Sequence, residues 1–232
     1  KDLKGALTTI EKQIGRPFTS HDNLMRAFIH PSYINENRSP KLESYERLEF
    51  LGDAILGQIV SHWLYTFFEK EAEGELSWMR GSLVDAKSCA HYLKALEIDH
   101  FILLSKGEAT NQGKGRDTIL ADVFEAVLAA LFLDAGMEGI EAFFEIKFKP
   151  LIEERLKTLS KNPKMVLQSH LQKETQSLPI YEVIGEEGPE HEKRFIVEVM
   201  HQGRVLGKGT GLSKKEAQIE AAKQAVTKLG LK

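Results

Sequence analysis

Apolar residues in the first two thirds of the chain recur every three to four positions. Leu24, Ala27 and Phe28 do so, and Leu48, Leu51, Ile55 and Ile59 repeat the pattern. That spacing predicts helices with one buried face. Breaks fall at Arg16–Pro17, His30–Pro31, Ser39–Pro40 and around Gly113–Gly115, where proline and glycine interrupt helical geometry. Alternation of the strand type is almost absent here. Residues 1–157 therefore read as an all-α domain. The segment Glu153–Lys164 is polar and contains the breaker Asn162–Pro163, so a linker is expected over residues 158–163.

Beyond it the pattern changes. Lys164–Glu174 has helical spacing. Ile180–Gly185 and Arg194–His201 carry alternating or β-branched runs, with Phe195, Val197 and Val199 on one side, and read as strands. Gly188–Pro189 falls in the loop between them. A turn at Gln202–Gly203 leads to a third short strand, Val205–Gly209. Ser213 is placed to cap a last helix running to Leu229. Residues 164–232 thus form a small α+β domain in the order α-β-β-β-α, giving two domains in all.

Composition narrows the class. The chain has 232 residues, 42% of them hydrophobic and 28% charged, ordinary for a protein with a buried core. No apolar run is long enough to span a bilayer, and the start carries no basic-then-apolar leader pattern. A cytoplasmic protein without a membrane partner is expected. One cysteine, Cys89, excludes an internal disulfide or a thiolate-rich metal site and reads as a small packed residue. The net charge of −3 divides unevenly: residues 1–161 carry 20 Lys and Arg against 25 Asp and Glu, residues 162–232 carry 11 against 9. An acidic front and a slightly basic back suit a metal-using half joined to an anion-binding half.

Two helices concentrate acids. Between Ile119 and Leu133 only Asp122 and Glu125 are polar. A helix apolar nearly all round is a buried one, and burying ionised carboxylates is costly unless they are compensated. Spaced i, i+3, the pair shares a face. In the earlier helix Glu49 and Asp53 share a face at i, i+4, and Glu46 lies one turn before Glu49. Gly52 and Ala54 keep the surface beside Asp53 low enough for another helix to approach. Should the two helices cross at these faces, four carboxylates meet. Two like charges 4 Å apart repel by roughly 4 kcal/mol at an effective dielectric near 20, and a divalent cation turns that repulsion into binding. An all-carboxylate site suits Mg²⁺, or Mn²⁺ in its place, rather than Zn²⁺. A solvated surface charge stays open as a reading of Glu46.

The stretch Glu46-Arg47-Leu48-Glu49-Phe50-Leu51-Gly52-Asp53 resembles the signature helix of the ribonuclease III family. His30-Pro31-Ser32-Tyr33, Gly74-Glu75-Leu76-Ser77 and Leu120-Ala121-Asp122-Val123-Phe124-Glu125-Ala126 resemble three more of its blocks, in order. The likeness covers essentially the whole chain. It implies a homodimeric endonuclease of double-stranded RNA. It implies Mg²⁺ ligands at Glu49, Asp53, Asp122 and Glu125, with Asp53 and Glu125 essential for catalysis, and supporting acids at Glu46 and Glu75. Phe50 takes the position of an aromatic that packs on the partner subunit. Products with 5′-phosphate and 3′-hydroxyl ends, short 3′ overhangs, and roles in processing ribosomal RNA precursors and some messages are implied as well. Asp117, Gly81 and the Ala126–Ala130 run depart from the usual pattern without touching an implied ligand.

In the C-terminal half, Leu167-Gln168, Gln172, Gly188-Pro189-Glu190-His191, Gly207-Lys208-Gly209 and Ser213-Lys214-Lys215-Glu216-Ala217 resemble a double-stranded-RNA-binding domain. Lys214 and Lys215 open a helix, where free N–H groups and the macrodipole also favour phosphate. On A-form RNA, Gln168 and Gln172 would meet one minor groove, His191 a second, and the two lysines the phosphates between. Ser169 and Gln218 depart from the resemblance, the latter where many such domains carry a third basic residue. No histidine pair has metal-ligand spacing. The Gly107–Lys114 segment lacks the spacing of a phosphate loop, so no nucleotide cofactor is expected. Two further readings stay open: a dimeric RNA-binding protein that no longer cuts, disfavoured because none of the four acids is missing, and a phosphohydrolase of another helical class, disfavoured by the C-terminal half.

Overall fold

The computed structural model describes residues 3–38, 41–110, 115–160, 163–189 and 193–231. The chain divides into two compact units, Lys1–Arg155 and Leu156–Lys232.

In the first unit, helices α1 (Leu3–Ile14), α2 (His21–Arg26) and α3 (Pro31–Asn37) precede the long α4 (Glu46–Phe67). Then come α5 (Glu73–Leu83), α6 (Ala86–Ala95), α7 (Lys106–Thr110) and the longest helix, α8 (Arg116–Phe143). A π-helical turn at Phe144–Phe148 leads into α9 (Lys149–Ser160), which spans the division between the units. Two of the breaks expected from sequence are helix boundaries: Pro31 opens α3 behind the cap His30, and Gly115, at φ +104°, precedes α8; Ser39–Pro40 and Gly113 lie outside the described residues. A single parallel bridge, Ile29 to Leu103, is the one strand-like pairing among the described residues of this unit.

Helices α4 and α8 pack against each other, and α6 covers α8. Leu48, Ile55, Leu56, Ile59, Val60, Trp63 and Leu64 form the buried stripe of α4. The apolar run of α8 is buried almost throughout, with Val123, Phe124, Val127, Leu128 and Leu131 inaccessible or nearly so. Tyr92, Phe124 and Phe148 close the core as an aromatic triangle with centroids 4.9–5.5 Å apart. One feature of α8 escapes the periodicity: at Gly136 the backbone turns to φ 64°, ψ −163°, a conformation that only glycine adopts without strain, and the helix kinks there.

The second unit holds α10 (Pro163–Thr175), β1 (Ile180–Glu187), β2 (Arg194–His201), β3 (Arg204–Gly211) and α11 (Lys214–Lys228). The strands form one antiparallel sheet in the order β1-β2-β3. Gln202 and Gly203 both take positive φ, 48° and 74°, the geometry whose twist matches a tight hairpin. Both helices bury one face on the sheet around Leu167, Leu171, Val197, Val199, Ala217, Ala221, Ala222 and Ala225. Gly207, Gly209 and Gly211 alternate along β3 beneath α11. A β-carbon on Gly209 would stand 2.2 Å from the Ala221 amide nitrogen, so these glycines let the helix lie on the strand. Ser213 caps α11, its hydroxyl accepting from Glu216 N at 3.1 Å, while the Glu216 carboxylate accepts from Leu212 N at 2.8 Å. No helix among the described residues is long and apolar enough to cross a membrane.

Candidate functional site

Gly52 fixes the meeting of α4 and α8. A β-carbon there would lie 1.8 Å from the carbonyl oxygen of Glu125, so the two backbones touch at that point. Ala54, expected to share in this approach, faces solvent instead, because it lies two residues round the helix from Gly52. The contact sets Asp53 next to the crossing, Glu49 one turn before it, and Asp122 and Glu125 across from them. Glu46 and Asp53 are exposed, whereas Glu49, Asp122 and Glu125 are half-buried.

The electrostatics follow from this placement. Loss of water raises the Glu125 carboxyl to about 8, and the charges of Asp53, Asp122 and Glu49 push in the same direction. Burial also raises Glu49, helped by Asp122, Glu46 and Asp53. Asp122 is raised by burial, partly offset by a hydrogen bond from Tyr45 and by nearby His30. The structure thus brings Glu46, Glu49, Asp53, Asp122 and Glu125 within electrostatic reach of one another. Among the described residues, no Lys or Arg forms an ion pair with Glu49, Asp53, Asp122 or Glu125.

Such a set fits a hard divalent cation by its chemistry: oxygen donors only, like charges crowded on a partly dry helix face, and no counter-charge supplied by the protein. Among the described residues no three acid, imidazole or thiol groups already converge on one point at ligating distance. Glu75 sits half-buried on α5. Phe50 projects beside Glu49 with 83% of its surface exposed, a costly placement for a phenyl ring on a lone subunit.

Three neighbours complete the setting. His30 caps α3, its Nδ1 accepting from Ser32 N at 3.0 Å, and burial lowers its pKa; it is a turn residue rather than a ligand. Cys89 is fully buried, as a small packed residue is, and its thiol is pushed up by burial and by nearby acids, Glu125 first among them. Tyr45, which the sequence did not single out, donates its hydroxyl to Asp122 Oδ2 at 3.1 Å. A tyrosine directly ahead of an acidic helix gives no periodic signal, and its partner lies 77 residues away.

In the second unit, Gln168 and Gln172 stand one helical turn apart on α10, both half-buried, next to the core positions Leu167 and Leu171. Lys214 and Lys215 open α11 and are exposed. His191 lies outside the described residues. More cations gather near Lys214 and Lys215 than the sequence suggested. Lys164 Nζ donates to Gln218 Oε1 at 2.8 Å and lies 4.5 Å from the Tyr181 ring centroid. Burial and the charge of Lys215 lower its pKa. Lys214 and Lys193 lie 5.6 and 5.8 Å from the Phe195 centroid, and Lys193 pairs with Glu186. The signal that would have found Lys164 is the departure at Gln218, whose amide oxygen now holds an ammonium group.

Residues 21–151 match the family model described as ribonuclease-III-like, and residues 163–229 match that of the double-stranded RNA binding motif. Similar proteins include Ribonuclease 3 of Protochlamydia amoebophila, 45% identical over 96% of this chain and 91% of the relative. Ribonuclease 3 of Streptococcus mutans is 42% identical over 96% of this chain and 98% of the relative. Among solved structures, the nuclease domain of ribonuclease III from Campylobacter jejuni, described with a region involved in dimer formation, is 36% identical with a TM-score of 0.55. It covers 64% of this chain and 97% of its own.

Proposed function

The chain belongs to the ribonuclease III family, and we propose that it cuts double-stranded RNA with Mg²⁺ held among Glu49, Asp53, Asp122 and Glu125. Family membership makes it a double-stranded-RNA endoribonuclease and implies a divalent metal cofactor; the choice of Mg²⁺, with Mn²⁺ as substitute, rests on the all-carboxylate donor set. One observation carries the reading: Glu125, half-buried in an apolar helix, is pressed by three other acids and has no cationic partner among the described residues.

The residues divide the work. Glu49 and Asp53 from α4, with Asp122 and Glu125 from α8, would supply the negative charge and oxygen donors that hold a divalent cation at the cleavage point. A divalent ion held there would activate water at neutral pH and stabilise charge on the phosphate during in-line displacement. Asp53 and Glu125, on either side of the Gly52 contact, are the acids on which cleavage depends. Glu46 adds charge at the rim, and Glu75 supports from α5. Hydrolysis leaves 5′-phosphate and 3′-hydroxyl ends.

The exposed Phe50 supports a homodimer in which this ring packs on the partner subunit. Each subunit's site then cuts one strand, leaving short 3′ overhangs. In the second unit, Gln168 and Gln172 would bond 2′-hydroxyls in one minor groove and His191 in the next, while Lys214 and Lys215 engage intervening phosphates. Such contacts read duplex shape rather than sequence. Ribosomal RNA precursors and some messages in the cytoplasm are the proposed substrates.

The test is a long perfect RNA duplex. Cleavage is expected with Mg²⁺ and none with chelator, and binding persists in Ca²⁺. Replacing Glu125→Gln should lower cleavage by several orders of magnitude while leaving duplex binding intact. A Glu125→Gln variant that cuts at the normal rate refutes the assignment.

A further inference from the structure

We propose that Tyr45 is a positioning residue for Asp122, its buried hydroxyl holding that carboxylate in the acid cluster so that the cluster can take up its cation. The proposal rests on the metal reading above. Tyr45 is pinned on every side. Its amide donates to Ile29 O at 3.0 Å, and its carbonyl accepts from Leu48 N at 2.7 Å and Glu49 N at 2.9 Å. The ring is 2% exposed and stands edge-on to His30, with centroids 5.7 Å apart. A side chain so held points its hydroxyl in one direction only, and the group it meets is Asp122 Oδ2 at 3.1 Å.

Asp122 needs such a donor. It stands on α8 between Ala121 and Val123, both buried, and no other side chain among the described residues donates to it. Its charge acts on Glu49 and Glu125, and like charges this close favour a carboxylate turned away from its neighbours. A fixed phenol opposes that rotation while occupying one of about four lone-pair positions on the carboxylate, leaving the rest for a cation. Because Tyr45 also precedes α4, the same residue that starts the helix bearing Glu46, Glu49 and Asp53 sets the orientation of an acid on α8. Hydrogen-bond partners behind metal ligands characteristically matter by 10–100-fold in metal affinity or activity.

The test uses the full chain and Ca²⁺ as a non-cleaving probe, followed by calorimetry. Four proteins are compared: the parent, Tyr45→Phe, Asp122→Asn and the double variant. Tyr45→Phe keeps the packed ring and removes one oxygen, so it should fold. Its Ca²⁺ affinity is expected to fall about tenfold, and its half-saturating Mg²⁺ for duplex cleavage to rise by a like factor, with the rate at saturating Mg²⁺ near that of the parent. In the double variant the Tyr45→Phe change should add nothing to the loss seen in Asp122→Asn, since the hydroxyl acts through that carboxylate. Parent-like Ca²⁺ affinity in Tyr45→Phe beside weakened Asp122→Asn overturns the proposal while leaving the metal site standing. So does a lowered melting temperature with unchanged affinity, or additive losses in the double variant. Parent-like affinity in Asp122→Asn itself defeats the metal reading of that residue, and this proposal with it.

Discussion

Replacing Gly52→Ala tests whether the contact between α4 and α8 builds the site. The new β-carbon would lie 1.8 Å from Glu125 O, 2.4 Å from its carbonyl carbon and 3.0 Å from its Cα. Ordinary contact begins near 3.4 Å, so the helices must part by about 1.6 Å along that line. The obstacle is backbone in the middle of a buried helix and cannot step aside as a flexible side chain does. Overpacking of a well-filled core costs about 1–3 kcal/mol, occasionally more; a backbone clash belongs at the upper end, about 3 kcal/mol. Against a total stability of about 5–15 kcal/mol, and at roughly 2–4 °C per kcal/mol for a domain of this size, the nuclease unit should melt about 10 °C lower. The separation also moves Glu49 and Asp53 from Asp122 and Glu125, and a misplacement of about 1 Å can cost a hundredfold in rate. Thermal unfolding and single-turnover cleavage of a saturating duplex measure both effects. Gly57→Ala, five residues along the same helix with nothing within 4 Å of its β-carbon, is the control and should be neutral or stabilising by up to about 1 kcal/mol. If Gly52→Ala melts and cuts like the parent, the helices do not meet as described and the account of the site fails.

Acid titration gives a second prediction. Because burial and neighbouring acids raise Glu125 to about 8 and also raise Glu49 and Asp122, the folded protein keeps protons that the unfolded chain gives up nearer the ordinary carboxylate range. Stability without metal is therefore fullest below about pH 4.5 as far as these groups decide it, and declines as pH rises toward 8. Melting temperatures taken from pH 5 to 8 in chelator should fall, with a shallower fall in Glu125→Gln and in millimolar Mg²⁺; identical slopes in the parent and Glu125→Gln contradict the crowding of charge. A third prediction concerns Lys214 and Lys215, which are expected to contact phosphate. Changing either to Ala should weaken duplex binding alike across sequences and reduce the salt dependence of log K by about one unit; a sequence-selective loss, or an unchanged salt slope, counts against phosphate contact.

Much of this molecule is legible in its sequence because its two domains use different periods. The 3.6-residue repeat locates α4, the nearly unbroken apolar run locates α8, and the alternation at Phe195, Val197 and Val199 locates β2, with Val197 and Val199 in the core. The acids on α8 stand out because they interrupt an apolar run, a signal that survives without knowledge of what lies opposite. What the sequence hides is of two kinds. The kink at Gly136 and the stacking of Gly207, Gly209 and Gly211 under α11 depend on local backbone geometry that many glycine positions could adopt. Tyr45 to Asp122 and Lys164 to Gln218 are contacts between residues far apart in the chain, and no periodicity within either segment announces them. Gly81, a departure from the family's alanine, lies exposed in α5 with nothing within 4 Å of its β-carbon, so an alanine there would fit equally well. Asp117, another departure, forms an exposed ion pair with Lys94 at 3.3 Å, away from the acid cluster.

A crystal of the protein grown with Mn²⁺ and measured at the manganese absorption edge tests the metal site most directly. An anomalous peak coordinated by carboxylate oxygens of Glu49, Asp53, Asp122 and Glu125 is the predicted result. Manganese bound elsewhere, or the four acids turned to solvent with no peak between α4 and α8, contradicts it.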